Sequence, residues 1–232
     1  MTTDPKAAIL ADSRIAAMRV KIAHFGAMLF ERRLTDAAGG NISARVGDYV
    51  LITPRYSGSK YQWEIKPEQV LVADLDMNIL DGGGEISRES KVHFRLYRDY
   101  GEHGSSVIHA HARNILVFAA MNRPMPPVLE ATQKFGTVPV VEYAPAHTGD
   151  LAEHVSGGIR QNLGSIKKQA AGVIAPWHGL FVMGKDLDAA FDAVERMDTN
   201  AYCILMAQMF RLGDMLDGER QALTAAMAKY KE

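Results

Sequence analysis

From Ser13 to Leu34 the apolar residues Ile15, Met18, Ile22, Phe25 and Leu29 recur at intervals of three and four. That period puts one continuous stripe along an α-helix and predicts a helix packed by that stripe. Gly39-Gly40 ends the pattern. From Asn41 to Val46 the chain alternates, Gly47-Asp48 supplies a turn, and Tyr49 to Thr53 returns, which predicts a hairpin. Val70 to Ala73 reads as a further strand, and Asp81-Gly82-Gly83-Gly84 as a turn. Ser87 is placed to cap a helix running to about Tyr100. Val107 to His111 reads as a buried strand that leads into a helix over Ala112 to Met121. Val138 to Val141 reads as a short strand, and Asp150 to Asn162 as a helix. Two apolar strands, Ala171 to Ala175 and Leu180 to Met183, flank the break Pro176-Trp177-His178-Gly179. Asp186 then caps a long helix whose buried face is Leu187, Ala190, Phe191, Val194 and Met197, and a last helix is expected at the C-terminus. Hairpin-like strand pairs interleaved with helices predict an α/β layered domain with a largely antiparallel or mixed sheet.

Composition narrows the class. The chain has 232 residues, 47% hydrophobic and 23% charged, ordinary for a globular protein and enough for one large core. Neither a repeat nor a low-complexity linker divides it, so residues 1–232 are expected to form a single domain. The net charge is −1, without a basic stripe, which argues against nucleic acid as a partner. A small anionic substrate stays compatible, because a pocket needs only a few local cations. Cys203 is the sole cysteine, so no intrachain disulfide can form, and a reducing compartment fits. The N-terminal residues lack the basic-then-apolar order of a signal peptide, and no apolar run approaches the ~20 residues of a membrane span. The expectation is a soluble cytoplasmic protein.

The stretch Val107-Ile108-His109-Ala110-His111 carries the chemistry. On a strand, residues two apart share a face, so His109 and His111 can grip one ion while Ala110 faces away. Neutral imidazoles suit Zn²⁺ and similar cations, and a catalytic zinc usually has three protein ligands and an open position. His178 is the best third ligand: it sits in a tight turn between apolar strands, where Gly179 lets the backbone come close. His24, His93, His103, His147 and His154 lie on helical or loop segments without this geometry. Glu89, just after Ser87, suits a helix start, where the dipole favours a carboxylate by ~0.3–1 kcal/mol. Beside a metal the same carboxylate could serve as a general acid/base or a further ligand.

An ordered set of motifs follows these residues: Gly40-Asn41-Ile42-Ser43-Ala44-Arg45; Ile52-Thr53-Pro54; Glu89 with His93 and Tyr97; His109-Ala110-His111; His178-Gly179; and Gly184 to Ala190 with Glu195. In this order and spacing, over about residues 13 to 205, the chain resembles the class II aldolase/adducin family. The resemblance implies a three-layer α/β/α fold with a central, mainly antiparallel sheet. It also implies a homotetramer with fourfold symmetry and active sites near subunit interfaces. A divalent metal, most often zinc with manganese as an alternative, is expected on His109, His111 and His178. Glu89 is expected as the acid/base of a carbon–carbon lyase, and His93 as structural. Asn41, Thr53, Ser87, Arg88 and Arg55 are expected around the substrate. The implied reaction is retro-aldol cleavage of a ketose, often phosphorylated, with the cation stabilising the enediolate left behind. A metal-dependent decarboxylase, an epimerase or a dehydratase would use the same groups, whereas a non-enzymatic adducin-like scaffold gains nothing from keeping His109, His111, His178 and Glu89 together. The sequence departs from the sugar-phosphate pattern in three places. Ala38-Gly39 precedes Gly40-Asn41, the Thr53 to Gly58 turn is longer, and Ser87-Arg88 stands where a serine pair is usual. Hydroxyl donors give way to Arg55, Lys60 and Arg88, which bind phosphate or carboxylate. Tyr230, near the C-terminus, is placed to reach a neighbouring subunit's site.

Overall fold

A computed structural model describes residues 5–209 and 213–229. The first helices, α1 (Pro5–Ala11) and α2 (Ser13–Glu31), precede the hairpin β1 (Asn41–Val46) and β2 (Tyr49–Ile52). Then come β3 (Leu71–Ala73), β4 (Ile79–Asp81), α3 (Ser90–Tyr100), β5 (Ser106–Ala110) and α4 (Ile115–Ala120). The chain continues through α5 (Gly149–Arg160), α6 (Leu163–Lys168), β6 (Ala170–Ala175), β7 (Gly179–Gly184), α7 (Leu187–Met209) and α8 (Gly213–Ala228). The seven strands form one sheet in the order β4-β3-β2-β1-β5-β7-β6, and every paired neighbour is antiparallel.

Strand alternation divides the core into two layers. Ile42, Ala44, Ile108, Ala110, Leu180 and Val182 face one side and pack on Ile22 and Leu29 of α2 and on Ala190 and Val194 of α7. Val107, Phe181, Met183 and Val173 face the other and meet Val92 and Phe94 of α3, Val155 and Ile159 of α5, and Ile166 of α6. Helices cover both faces, so the fold is the expected α/β/α sandwich. The α2 stripe is real: Ile15, Ile22 and Leu29 are buried. Asp12 caps that helix through Arg14 N, and Asp186 caps α7 through Ala189 N.

Three expectations are corrected. Helix α3 starts at Ser90 with Glu89 in the capping position, not Ser87. Ser87 instead builds the turn before the helix: its carbonyl accepts from Ser90 N at 3.0 Å and its hydroxyl from Glu89 N at 3.3 Å. Residues 138–141 form no strand, only single bridges, Val138 to Met125 and Val140 to Ile174. Pro139 lacks the N–H that a ladder needs. Asp81 ends a short edge strand, β4, before the glycines turn the chain. Three residues are too few to show a period.

Asp81 also fastens that edge to α2, its Oδ2 lying 2.6 Å from Arg19 Nη2, with both side chains about nine-tenths buried. Burial alone would raise the Asp81 carboxyl, but the hydrogen bond and charge of Arg19 outweigh it and hold the carboxyl below its usual range. The folded pKa therefore lies below the unfolded one. The stabilisation is in place above about pH 4 and disappears as pH falls through the folded value. Asp81→Asn is expected to cost roughly 3 kcal/mol at pH 7, because Arg19 is left buried and uncompensated. Urea unfolding at pH 7 and again at pH 3 checks this, the mutational gap closing at the lower pH.

Candidate functional site: a histidine triad beside a buried carboxylate

The triad is built where β5 ends against the β6–β7 turn. His109, 1% exposed, faces the same side as Val107 and stacks on Phe181, with ring centroids 4.1 Å apart at 13°. Its Nδ1 donates to the Leu180 carbonyl at 3.0 Å, which leaves Nε2 as a lone pair. His111 lies just past the strand end, its Nδ1 3.2 Å from Asp36 Oδ2. His178 follows Trp177, a residue at φ 56°, and its backbone N–H closes the turn on Ala175 O. Ring centroids are 5.0 Å apart for His109 and His111, 4.7 Å for His109 and His178, and 5.7 Å for His111 and His178. One nitrogen from each ring falls within 4.8 Å of the others.

These three residues fit a divalent cation. His109 Nε2, His111 Nε2 and His178 Nδ1 are buried and have no hydrogen-bond partner among the described residues, an arrangement that costs free energy unless something else satisfies them. His109 and His111 each commit the other ring nitrogen to a carbonyl or carboxylate, which fixes tautomer and ring orientation as metal-binding imidazoles require. Burial, then the neighbouring imidazoles, pushes His109 well below the usual histidine range. The same causes bring His178 to about 4, so both rings stay neutral and can donate lone pairs. Bare backbone makes the space: a Cβ on Gly39 would fall 1.9 Å from His111 Cε1, and one on Gly179 2.8 Å from Ala110 O.

Glu89 closes the site from α3. It is 6% exposed, and among the described residues neither carboxylate oxygen has an aligned hydrogen-bond donor. Burial pushes its pKa up to about 7, against opposing pulls from the His147 backbone N–H and the Arg88 charge. His178 Nε2 lies 3.8 Å from Glu89 Oε1. His147 Nδ1 lies 2.6 Å from the same oxygen. By sequence His147 is a loop residue without ligand geometry, and that reading misses its place in the site. It stands in left-handed backbone, φ 72°, just ahead of Thr148, the cap of α5, and Lys91 Nζ holds its carbonyl at 3.0 Å. Only the tertiary fold brings it to Glu89, and no local spacing announces it.

A cleft of about 240 Å³ opens over this group, lined by Asn41, Arg55, Ser87 and Arg88 together with Glu89, His147 and the triad. Thr53 is not in the lining: it is 1% exposed, and its hydroxyl accepts from Ile42 N, tying the turn to β1. Arg55 reaches the cleft with its charge engaged by Glu85 at 2.5 Å and its guanidinium over Tyr56. Arg88 is exposed and pairs with no acidic group among the described residues. His93 is fully buried and touches Ser43 and Asn41 rather than the cleft. Tyr230 lies outside the described residues. Among those residues, no helix is long and apolar enough to cross a membrane.

The chain is 27% identical over 182 residues to an L-fuculose phosphate aldolase of Methanococcus maripaludis, covering 77% of this chain and 89% of that one. It is 27% identical over 180 residues to a 5-deoxy-D-ribulose 1-phosphate aldolase of Bacillus thuringiensis, covering 78% and 80%. A solved L-fuculose 1-phosphate aldolase superposes with a TM-score of 0.74 over 92% of this chain and 98% of its own, at 23% identity, which supports the fold. Class II aldolases use a divalent metal, and the triad offers a place for one. The Class II Aldolase and Adducin N-terminal domain matches residues 20–205, and the chain belongs to that family as an aldolase-like enzyme.

Proposed function

We propose that this protein is a metal-dependent carbon–carbon lyase that cleaves a small anionic hydroxy-keto substrate, a ketose phosphate or a close relative, by a retro-aldol step. The observation that carries the reading is the convergence of three unpartnered buried imidazole nitrogens beside a buried carboxylate. His109, His111 and His178 would hold the cation, Zn²⁺ first and Mn²⁺ as the alternative. When bound, the cation supplies Lewis-acid stabilisation of negative charge released from carbon. Glu89 carries the proton. A carboxyl with a pKa of about 7 is poised to give up and regain a proton near neutrality, which is what a general acid/base needs. Its seat at the start of α3 fixes it against the cleft, and its burial keeps bulk water from competing for that proton.

Asn41, Ser87 and Arg88 form the substrate-facing wall. Among the described residues Arg88 forms no ion pair, although its charge reaches Glu89, so it is the residue we assign to the substrate anion; Arg55, already paired with Glu85, contributes less. Arg88→Ala is expected to raise KM about tenfold for an anionic substrate and to leave a neutral analogue almost unchanged, in line with one charge-assisted contact. Equal effects on both would put Arg88 outside the substrate's reach. The same wall would grip a carboxylate, so a decarboxylase is the second reading, favoured by the exchange of hydroxyl donors for arginine. Incubating metal-loaded protein with phosphorylated ketoses, and separately with sugar and aromatic carboxylic acids, distinguishes them by aldehyde or CO₂ release. Neither product with either series would sink the lyase reading.

We further propose a cytoplasmic, single-domain homotetramer with sites near the interfaces. The solvent-facing pair Tyr143 and Trp177, 56% and 62% exposed and 5.4 Å apart beside His178, supports burial by a neighbouring subunit.

A further inference from the structure

Behind the cleft wall runs a chain of polar groups that the lyase mechanism does not use. Tyr97 Oη lies 2.7 Å from Ser43 Oγ, and Ser43 Oγ 2.7 Å from His93 Nδ1. His93 Nε2 lies 2.9 Å from Asn41 Oδ1, and Asn41 Nδ2 donates to Ser87 Oγ at 2.7 Å. Tyr97, Ser43 and His93 are buried and contact no cleft surface; Asn41 and Ser87 line it. The first three sit on the side of the sheet that α3 covers, one turn of that helix separating His93 from Tyr97.

Two polarities could satisfy such a chain, and its buried end selects one. Among the described side chains the Tyr97 hydroxyl has a single hydrogen-bond neighbour, Ser43. Burial pushes the phenol far above its usual range, so it keeps its proton and needs an acceptor. Tyr97 therefore donates to Ser43. A serine hydroxyl has one hydrogen, and Ser43 must then give it to His93 Nδ1. The His93 ring is neutral, held by burial at about 3, so its own proton sits on Nε2 and goes to Asn41 Oδ1. This pins the Asn41 carbonyl inward and turns its NH₂ group toward Ser87. Ser87 Oγ accepts from Asn41 Nδ2 and, at 3.3 Å, from Glu89 N. With both lone pairs taken, its hydrogen is directed to the cleft.

We infer that Tyr97, Ser43 and His93 are positioning residues that lock Asn41 and Ser87 as hydrogen-bond donors toward the cleft, so that this wall takes an oxyanion and rejects a group presenting its own hydrogen. The inference rests on the cleft being the substrate site, but not on the reaction performed there. Reversing the chain would turn the Asn41 carbonyl outward and engage the Ser87 proton, removing the donors. The wall's specificity is thus set at Tyr97, three hydrogen bonds behind the Asn41 side chain that faces the substrate.

The test uses the full-length folded protein and needs no turnover. Long-range ¹H–¹⁵N NMR of the His93 ring is expected to give the neutral Nε2–H tautomer; an Nδ1–H tautomer means the chain runs the other way and overturns the inference. Inorganic phosphate and acetate are then titrated separately. His93→Gln, whose amide can still donate near the Nε2 position, is expected to keep the phosphate Kd within about twofold, and His93→Leu to weaken it about tenfold with metal content unchanged. Equal effects of Gln and Leu would reduce His93 to a packing residue and refute the assignment. Acetate should follow phosphate, since both are oxyanions; loss of phosphate binding alone in His93→Leu would count against a shared donor wall. Should the Leu variant not fold, the wild-type tautomer decides. Failure of every lyase substrate would leave these readouts intact, so the two proposals fall separately.

Discussion

Replacing Glu89 by glutamine is expected to lower turnover by about 10²–10⁴-fold while the cation stays bound. Glutamine keeps the size and the seat at the head of α3 but cannot exchange a proton. Two of the three imidazoles do not depend on Glu89 for their orientation: His109 is held by Leu180 O and His111 by Asp36. The same substitution should change stability in the opposite sense. Burial raises the folded pKa of Glu89 to about 7, above the unfolded value. A group raised in this way favours folding below its unfolded pKa and opposes it as pH rises through 7, where a buried charge must form. In metal-free protein Glu89→Gln is therefore expected to gain on the order of 2–3 kcal/mol relative to wild type between pH 5 and pH 8, since each tenfold change in proton affinity is worth about 1.4 kcal/mol. Chelator-treated samples unfolded in urea at both pH values measure it. Near-normal turnover in the glutamine variant would remove Glu89 from the proton transfer. A stability gap that does not widen with pH would mean the carboxyl is better solvated than its burial implies.

The sequence disclosed most of the architecture because the strong periods sit in long elements. The stripe through Ile15, Ile22 and Leu29, the alternation from Asn41 to Val46, and the apolar strands around Pro176 to Gly179 each became the element expected of them. What escaped was short or set by contacts far along the chain. Strand β4 has three residues and needs β3 beside it; α6 is one and a half turns; Pro139 turned an apolar run into isolated bridges. The site divides in the same way. His109 and His111 are two apart, and the strand period, carried one residue past the end of β5, puts them on one face. His178 could be guessed from its turn. His147 could not, because its approach to Glu89 depends on how the segment before α5 lies across α3. Nor could sequence distinguish Arg55 from Arg88: both are arginines near the motifs, and only the fold gives one of them to Glu85. Thr53 matched a family position, yet here its hydroxyl serves the backbone.

His109→Ala should remove the cation and the activity together. Two imidazoles remain, and neither can supply the third bond of an open tetrahedral site. Wild-type protein is expected to carry close to one equivalent of Zn²⁺ or Mn²⁺ per chain after loading and dialysis, and the variant less than about 0.2. Removing the ring also empties the space against Phe181, so a thermal melt must accompany the assay. His178→Ala is the control for that cost: its side chain is 19% exposed in a turn, and it should lose metal with a smaller penalty in stability. Asp36→Ala is expected to act more mildly, weakening the metal 10–100-fold, because it frees the His111 ring without deleting a ligand. Metal analysis and activity should fall in the order Asp36→Ala, then His178→Ala and His109→Ala, and metal-stripped wild type should recover when Zn²⁺ or Mn²⁺ is returned. Full metal occupancy in His109→Ala, or turnover that outlasts the metal, would break the link between the triad and the chemistry, since a cation held elsewhere could not lie beside Glu89 and its proton.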